Sequence, residues 1–170
     1  MGPAKRVLFL CTGNSARSQM GEGLLRHLGG DRFEVSSAGT QAAQRVHPLA
    51  VETMRERGVD ISHQRPKSLA DFAAQQFDLL ITTCDEAQAA CPWYAGAREQ
   101  VHWSLPDPAA ATGTDEEQRA AFRAVADELE RRLRELVGDS AGTGPGHLSP
   151  PPEVPGRPGR APARPADRDA

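Results

Sequence analysis

One stretch of this sequence brings together side chains that can bind and attack an anion. It comprises Cys11, Thr12, Gly13, Asn14, Ser15, Ala16, Arg17 and Ser18. An apolar run at residues 6–10 predicts a buried strand before it, and apolar residues at helical spacing over residues 18–28 predict a helix after it. Successive backbone N–H groups at such a strand-to-helix turn form a cradle for a tetrahedral anion, and an arginine adds a two-pronged charge. The sequence therefore predicts an oxyanion loop at residues 11–18.

Cys11 is the candidate nucleophile of this oxyanion loop. Thiols at helix N-termini have lowered pKa values, so its position predicts a thiolate at neutral pH, with Ser18 donating a hydrogen bond to the sulfur. A plainer interpretation stays open, in which Cys11 is a small buried residue that ends a strand and Arg17 is an ordinary arginine of a first helical turn. The loop is not of the ATP-binding type, because no lysine follows a glycine at the required spacing.

Two further cysteines, Cys84 and Cys91, are seven positions apart on a short predicted helix. A regular helix separates their Cα atoms by about 10 Å, whereas a disulfide needs about 7 Å or less, so a bond between them requires the helix to unwind. Cys84 directly follows a predicted strand, near the strand ends where Cys11 lies. This placement favours a thiol relay from Cys11 to Cys84 to Cys91, although inert core thiols are the alternative. No C-x2-C pair accompanies them, and we expect no metal centre.

Strands and helices alternate along the chain. Strands are predicted at residues 6–10, 33–37, 77–83 and 101–105, and helices at residues 18–28, 48–57, 68–75, 85–91 and 116–137. Alternation of this kind is typical of an α/β fold. We expect a single domain with a central four-stranded parallel sheet, helices on both faces, and a ligand beyond the carboxyl ends of the strands.

The composition of the 170-residue chain changes at Gly138. The last 33 residues contain 8 of the 14 prolines and 6 of the 16 glycines. Such a segment buries too little apolar surface to offset the entropy of ordering it. The sequence therefore predicts a domain at residues 1–137 and a disordered tail at residues 138–170.

Charge and cysteine content narrow the class of protein. The net charge of −3 is spread without blocks, which gives no electrostatic footprint for nucleic acid. No apolar run approaches the roughly 18 residues of a membrane span, and no signal peptide is recognisable. Three cysteines favour thiol chemistry over a disulfide framework. We expect a monomeric cytoplasmic protein with neither nucleic acid nor membrane as partner.

The oxyanion loop and its flanks resemble the signature of the low-molecular-weight protein tyrosine phosphatase superfamily, in the version found in thioredoxin-coupled arsenate reductases. The resembling segment reads VLFLCTGNSARSQMGEGLL, and the likeness continues through SAGT at residues 37–40, ITTCDEAQAACP at residues 81–92 and HWSLPDPAAATG at residues 102–113. It covers residues 5–137. The resemblance implies a phosphatase-like fold, reduction of arsenate to arsenite in arsenic resistance, and thioredoxin as the reductant.

The resemblance also implies an order of events. Cys11 attacks arsenate, Cys84 attacks the Cys11 sulfur and releases arsenite, and Cys91 pairs with Cys84 in a disulfide that thioredoxin reduces. Arsenate can accept the two electrons, whereas phosphate cannot be reduced in this way. The family's general acid corresponds to Asp107, in an Asp-Pro pair that is by itself an ordinary turn.

The sequence departs from the family pattern at two positions. Pro106 precedes Asp107 where many reductases have a second acid, and Ala16 stands where many relatives have another cysteine. The second departure leaves the three-cysteine relay intact.

Relatives of the reductase class can bind a potassium ion through residues that match Asn14, Ser37 and Glu22. On the sequence alone, Glu22 is interpreted as an exposed acid of the first helix, and Asn14 as a left-handed residue that shapes the loop. No other cofactor is expected, and the five histidines fall in no catalytic spacing.

Two other functions remain as alternatives. A phosphatase of the same fold uses only Cys11, Arg17 and Asp107, but such enzymes typically carry aromatic residues after the Asp-Pro pair, where residues 109–111 here are alanines. Residual phosphatase activity is compatible with a reductase. A non-enzymatic sensor would bind an anion and form a disulfide without turnover.

Overall fold

The computed structural model describes residues 2–141. The strands are β1 (Lys5–Cys11), β2 (Phe33–Gly39), β3 (Phe77–Thr82) and β4 (Ala97–His102). The helices are α1 (Arg17–Gly29), α2 (Pro48–Glu56), α3 (Asp85–Ala90) and α4 (Asp115–Ala141). Short 3-10 turns occur at Gly30–Arg32, Leu69–Phe72 and Pro108–Ala110.

The four strands form one parallel sheet in the order β2-β1-β3-β4. Alternate residues of each strand face opposite sides. Val7 and Phe9 of β1 pack into a large core with α1, α2 and α4, while Leu8 and Leu10 pack into a smaller core with α3. The predicted fold, a four-stranded parallel sheet with helices on both faces, is confirmed.

The smaller core brings the three cysteines into one cluster. Cys11 and Cys84 are buried within it, and Cys91 is partly buried against it. The strands are parallel, so β1 and β3 both end at this edge, where the chain leaves β1 for α1 and β3 for α3.

Two predicted elements are wrong. The fourth strand is Ala97–His102 instead of residues 101–105, because β4 is an edge strand whose exposed Arg98 and Glu99 hide it from an apolar pattern. The helix predicted at residues 68–75 is the single 3-10 turn Leu69–Phe72, in which only Phe72 is buried. One buried side chain does not supply the apolar stripe that stabilises a longer helix.

Helix α4 runs through Ala141, four residues past the predicted domain end at residue 137. The change in composition at Gly138 does not stop it, since a glycine in an exposed helix costs only about 1 kcal/mol. The rest of the predicted tail, residues 142–170, lies outside the described residues. Within residues 2–141, no helix combines the length and the apolar composition that a bilayer span requires.

The last residue of β2, Gly39, lies directly against the oxyanion loop. A Cβ atom at this position would lie 2.4 Å from the Thr12 carbonyl oxygen and 3.1 Å from the Asn14 backbone nitrogen. Both neighbours are backbone or backbone-attached and have little freedom to move. The loop is therefore held against a position that only glycine fits.

We expect Gly39→Ala to destabilise the fold by about 1–3 kcal/mol, the usual range for overpacking a tight site. Urea unfolding measures the change. Gly138→Ala is the matched control, because it is exposed in α4 with open space around it, and it should stabilise the helix by roughly 0.5–1 kcal/mol. Equal stability of Gly39→Ala and the parent protein would contradict the close approach.

Candidate active site

The carbonyl groups of the oxyanion loop are turned outward by four backbone hydrogen bonds. Each joins a carbonyl of the loop to an N–H group within residues 40–47. The N–H groups of Thr40, Gln41, Ala43 and His47 donate to the carbonyls of Cys11, Thr12, Gly13 and Ser15, in that order, at 2.8–3.1 Å. Because C=O and N–H of a trans peptide point in opposite directions, the N–H groups that follow these carbonyls face the inside of the loop. Inward N–H groups of this kind bind anions.

Two groups of the oxyanion loop and of α1 contact the Cys11 sulfur. The Asn14 N–H donates to Cys11 Sγ at 3.1 Å, and Ser18 Oγ lies 2.8 Å from the same sulfur. The Asn14 side-chain amide donates to Ser18 Oγ at 2.8 Å, which leaves the hydroxyl hydrogen of Ser18 for the sulfur. Asn14 has φ 51°, the only non-glycine positive φ within residues 2–141. The predicted left-handed Asn14 and the contact of Ser18 with the sulfur are both confirmed.

The ionisation state predicted for Cys11 needs correction. Cys11 is 3% exposed, and burial raises the pKa of its thiol. Hydrogen bonds from the Ser18 hydroxyl and from the backbone N–H groups of Ser18 and Asn14 act to lower that pKa, but burial is the larger influence. The sequence reveals the helix N-terminus but not the depth of burial, and so predicts a thiolate too readily.

Arg17 connects the oxyanion loop to the segment that carries Asp107. Its Nη1 donates to the Leu105 carbonyl at 3.0 Å, two residues before Asp107. The Asp107 carboxylate is exposed and accepts a hydrogen bond from the Ala109 N–H at 3.0 Å. Burial lowers the pKa of His47, whose N–H holds the loop, and the nearby charge of Asp107 acts to raise it. Asp107 is therefore on the same side of the molecule as the loop, with its carboxylate open to solvent.

Cys84 lies beside the oxyanion loop. Its sulfur is 3.4 Å from the Thr12 hydroxyl, and the side chain is 0% exposed. It also caps α3, since Cys84 Sγ accepts a hydrogen bond from the Ala87 N–H at 3.4 Å. The charge of Cys84 acts to raise the pKa of Cys11, as expected of two neighbouring thiols.

Cys91 lies at the opposite end of α3, as its C-cap residue. Its sulfur is 4.0 Å from the Trp93 carbonyl, and burial raises the pKa of its thiol. Cys84 and Cys91 thus flank a helix of six residues instead of lying within it. Only Ala87 of this helix is buried, so α3 has few contacts that resist unwinding.

A hydrogen-bonded network that the sequence did not reveal fixes the start of α3. His102 Nδ1 lies 2.7 Å from Thr82 Oγ1, and its Nε2 lies 2.9 Å from Asp85 Oδ1. Ser104 Oγ donates to the same Asp85 oxygen at 2.8 Å. His102 and Ser104 hold the pKa of Asp85 below its ordinary value. No spacing signal marks these residues, because they come from β3, from β4 and the segment after it, and from the start of α3.

Two of the residues matched to a potassium site, Ser37 and Glu22, are in contact, but Glu22 is not placed as predicted. Glu22 is 2% exposed, so its interpretation as an exposed acid is wrong. Burial raises the pKa of Glu22 and lowers that of Lys67, and the charge of each opposes the effect on the other. Ser37 Oγ donates to Glu22 Oε2 at 3.3 Å. Among the side chains that the structure describes, residues 2–138, no three His, Cys, Asp or Glu residues group to hold a metal ion.

The opposing effects of burial and of hydrogen bonds on the Cys11 pKa can be tested in a protein whose only cysteine is Cys11. In the Cys84→Ser/Cys91→Ser background, we expect iodoacetamide to titrate a thiol with a pKa above its ordinary value, and Ser18→Ala to raise that pKa further. A hydrogen bond to a charged group contributes about 1.5–3 kcal/mol. Because a more basic thiolate is also a better nucleophile, the alkylation rate at pH 7 should fall by about 3- to 20-fold.

Ser62→Ala, at an exposed serine after α2, is the control and should leave the alkylation profile unchanged. A Cys11 pKa below the ordinary value, or an unchanged profile in Ser18→Ala, would show that burial and Ser18 do not set the ionisation of this thiol.

Comparison with known proteins agrees with this geometry. The model of the low molecular weight phosphotyrosine protein phosphatase family matches residues 6–144. An arsenate reductase of Halalkalibacterium halodurans is 46% identical over 130 residues, which is 76% of this chain and 93% of that protein. An arsenate reductase of Bacillus subtilis is 43% identical over 133 residues, 78% of this chain and 95% of that protein.

A solved structure gives the same result in three dimensions. The thioredoxin-dependent arsenate reductase of Corynebacterium glutamicum superposes with a TM-score of 0.65 and 34% identity over 82% of this chain, and this chain spans 63% of that protein. The family match and the two sequence relatives cover most of residues 2–141. The chain therefore belongs to the low molecular weight phosphotyrosine protein phosphatase family.

Proposed function

We propose that this protein reduces arsenate to arsenite through Cys11, Cys84 and Cys91, and that thioredoxin restores the reduced enzyme. One observation carries the proposal: the three thiols belong to one packed cluster at the ends of β1 and β3, with Cys84 beside the oxyanion loop and Cys91 at the far end of α3. The names of the relatives support arsenate as substrate, and that of the C. glutamicum structure supports thioredoxin.

Arsenate binds in the oxyanion loop. The inward N–H groups and Arg17 hold its oxygens, with the Cys11 sulfur below the central atom. The Cys11 thiolate attacks arsenic and forms an S–As bond, while one oxygen leaves as water. Asp107 gives a proton to this departing oxygen. Arsenic is still in its higher oxidation state at this stage.

The reduction occurs when Cys84 attacks the Cys11 sulfur. An S–S bond forms, the S–As bond breaks, and its electron pair stays on arsenic, which leaves as arsenite. Cys91 then attacks Cys84, so the disulfide moves to Cys84–Cys91 and Cys11 is released as a thiolate. The two electrons that reduce arsenic have come from two thiols, and an external dithiol must return them.

The surroundings of Cys91 suit attack by a protein dithiol. Cys91 is partly exposed, and Trp93, two residues on, is 70% exposed. It is the one large apolar side chain classed as exposed among residues 2–138. Exposed aromatic residues are preferred anchors of protein contacts.

The proposed compartment and oligomeric state follow from the thiols. Free thiols at all three cysteines fit a reducing compartment, and we place the protein in the cytoplasm. All three thiols are on one chain, so a monomer suffices.

Phosphate-ester hydrolysis is the alternative activity for a site of this kind. It needs only Cys11, Arg17 and Asp107. The turn after Asp107, Pro108–Ala110, offers no aromatic side chain to pack against a phenyl ring. We therefore expect aryl phosphatase activity to be residual.

Substitution of each relay cysteine should stop the reaction at a different intermediate. With arsenate and no reductant, Cys84→Ser should release no arsenite, because nothing attacks the Cys11 sulfur. Cys91→Ser should release about one arsenite per enzyme and retain a Cys11–Cys84 disulfide. Mass spectrometry of proteolytic peptides, together with arsenite quantification, measures both.

The wild-type protein should give a Cys84–Cys91 disulfide in the same experiment, and turnover with thioredoxin, its reductase and NADPH. Hydrolysis of p-nitrophenyl phosphate is the internal control and should persist in both variants. Arsenite turnover by Cys84→Ser at the wild-type rate would disprove the relay, and rapid phosphatase activity without arsenate reduction would favour the phosphatase.

Asp107→Asn should lower kcat for both arsenate reduction and residual phosphatase activity by about 10²–10⁴-fold, the usual contribution of a positioned general acid. Steady-state kinetics with arsenate and with p-nitrophenyl phosphate measures the effect. Asp31→Asn, at an exposed acid in the turn after α1, is the control. Unchanged kcat in Asp107→Asn would remove Asp107 from the mechanism.

A further inference from the structure

Glu22 is a carboxylate buried next to two cations. Arg26 Nη2 donates to its Oε1 at 3.1 Å, and Lys67 Nζ lies 3.8 Å from the same oxygen. The Glu22 side chain is 3% exposed, against 48% for Arg26 and 31% for Lys67. A buried charge is costly unless it is paired. The two cations provide that pairing from within the chain.

Lys67 is also tied to the oxyanion loop through its backbone. Its N–H donates to Asn14 Oδ1 at 2.8 Å, and its Nζ donates to the Arg65 carbonyl at 2.9 Å. The Gln19 amide donates both to that carbonyl and to Asn14 Oδ1, at 2.9 Å each. A closed ring of contacts thus joins Lys67 to Asn14, which donates to the Cys11 sulfur and to Ser18.

The residues expected to bind potassium do not fit that ion. Asn14 Oδ1 already accepts two N–H groups, from Gln19 and Lys67. The Glu22 oxygens accept from Arg26 and Ser37. A potassium ion would have to displace these donors and lie close to the ammonium group of Lys67, which repels it. The positive charge that such an ion would bring is already there.

We propose that Lys67 is a positioning residue for Cys11. Its ammonium group takes the place of a bound monovalent cation beside Glu22 and, through the Arg65 carbonyl and Gln19, keeps Asn14 in the oxyanion loop. The loop then holds its shape without potassium. The inference adds to the proposed arsenate reduction, but its main test reads the reactivity of Cys11 and stands even if arsenate is not the substrate.

The test measures the rate of Cys11 alkylation by iodoacetamide at pH 7 in the Cys84→Ser/Cys91→Ser background. We expect the same rate in sodium chloride and in potassium chloride. Lys67→Ala should slow alkylation by about threefold or more in sodium chloride, and ammonium or potassium chloride should restore much of that loss. Lys67 and Glu22 line an open cavity, so an added cation can reach the space that the side chain leaves.

Two more variants separate charge from bulk. Lys67→Arg keeps the charge and should alkylate at nearly the background rate in every salt. Lys67→Met keeps the length without the charge and fills the space, so it should be slow and not respond to added cations. Lys5→Ala removes the other lysine and should behave as the background. If Lys67→Ala does not fold, the difference between Lys67→Arg and Lys67→Met still measures the effect of the charge.

Three results would overturn the proposal. The first is a potassium-dependent alkylation rate in the background protein. The second is a Lys67→Ala variant that matches Lys5→Ala in sodium chloride. The third is a loss in Lys67→Ala that neither ammonium nor potassium reverses, which would give Lys67 a merely structural role. Arsenate reduction by the same variants with all three cysteines present is a separate measurement, so failure of the proposed function is seen independently.

Discussion

The register between β1 and β3 is the constraint on which the site depends. Leu10 pairs with Thr82, and both the N–H and the hydroxyl of Thr83 donate to the Leu10 carbonyl just beyond the last pair. This pairing ends the two strands at the same level and brings Cys84 against Thr12. A slip of one residue would turn the side chains of one strand to the opposite face of the sheet. The nucleophile and its neighbouring thiol would then no longer share a core.

Helix α3 is stable enough to separate two thiols, but its stability depends on one of them. Six residues with one buried side chain form a marginal helix, and the Cys84 sulfur is its N-terminal cap. In the proposed reaction this sulfur enters a disulfide with Cys11, which weakens it as an acceptor for the Ala87 N–H. The chemical step thus loosens the helix that must unwind for Cys91 to approach. The bonds of His102 and Ser104 to Asp85 keep the first residue in place meanwhile.

The sequence predicts best those elements whose burial on both faces requires a continuous apolar run. The central strands β1 and β3 are continuous apolar runs because both faces are covered, and the loop between β1 and α1 is marked by residue types that few other structures need in that order. The bounds of β4 are predicted wrongly because an edge strand can carry exposed charged residues such as Arg98 and Glu99.

The burial of Glu22 is missed for a different reason. A charged residue is expected to be exposed, and only the fold shows that Arg26 and Lys67 pair with its charge. The contacts of Asn14 with Lys67 and of His102 with Asp85 join distant segments, and no local pattern contains them.

The raised pKa of Cys11 affects reactivity in two opposing ways. Below its pKa, each tenfold loss of thiolate is offset in part, because a more basic thiolate is a better nucleophile by about threefold. The net loss is about threefold for each tenfold fall in thiolate. Burial therefore costs less than the ionised fraction alone suggests, and it removes competing water from the reacting sulfur. The hydrogen bonds of Ser18 and Asn14 stabilise the thiolate within the same buried site. The reactivity of this cysteine is therefore set by the shape of the loop, and hence by every contact that fixes Asn14.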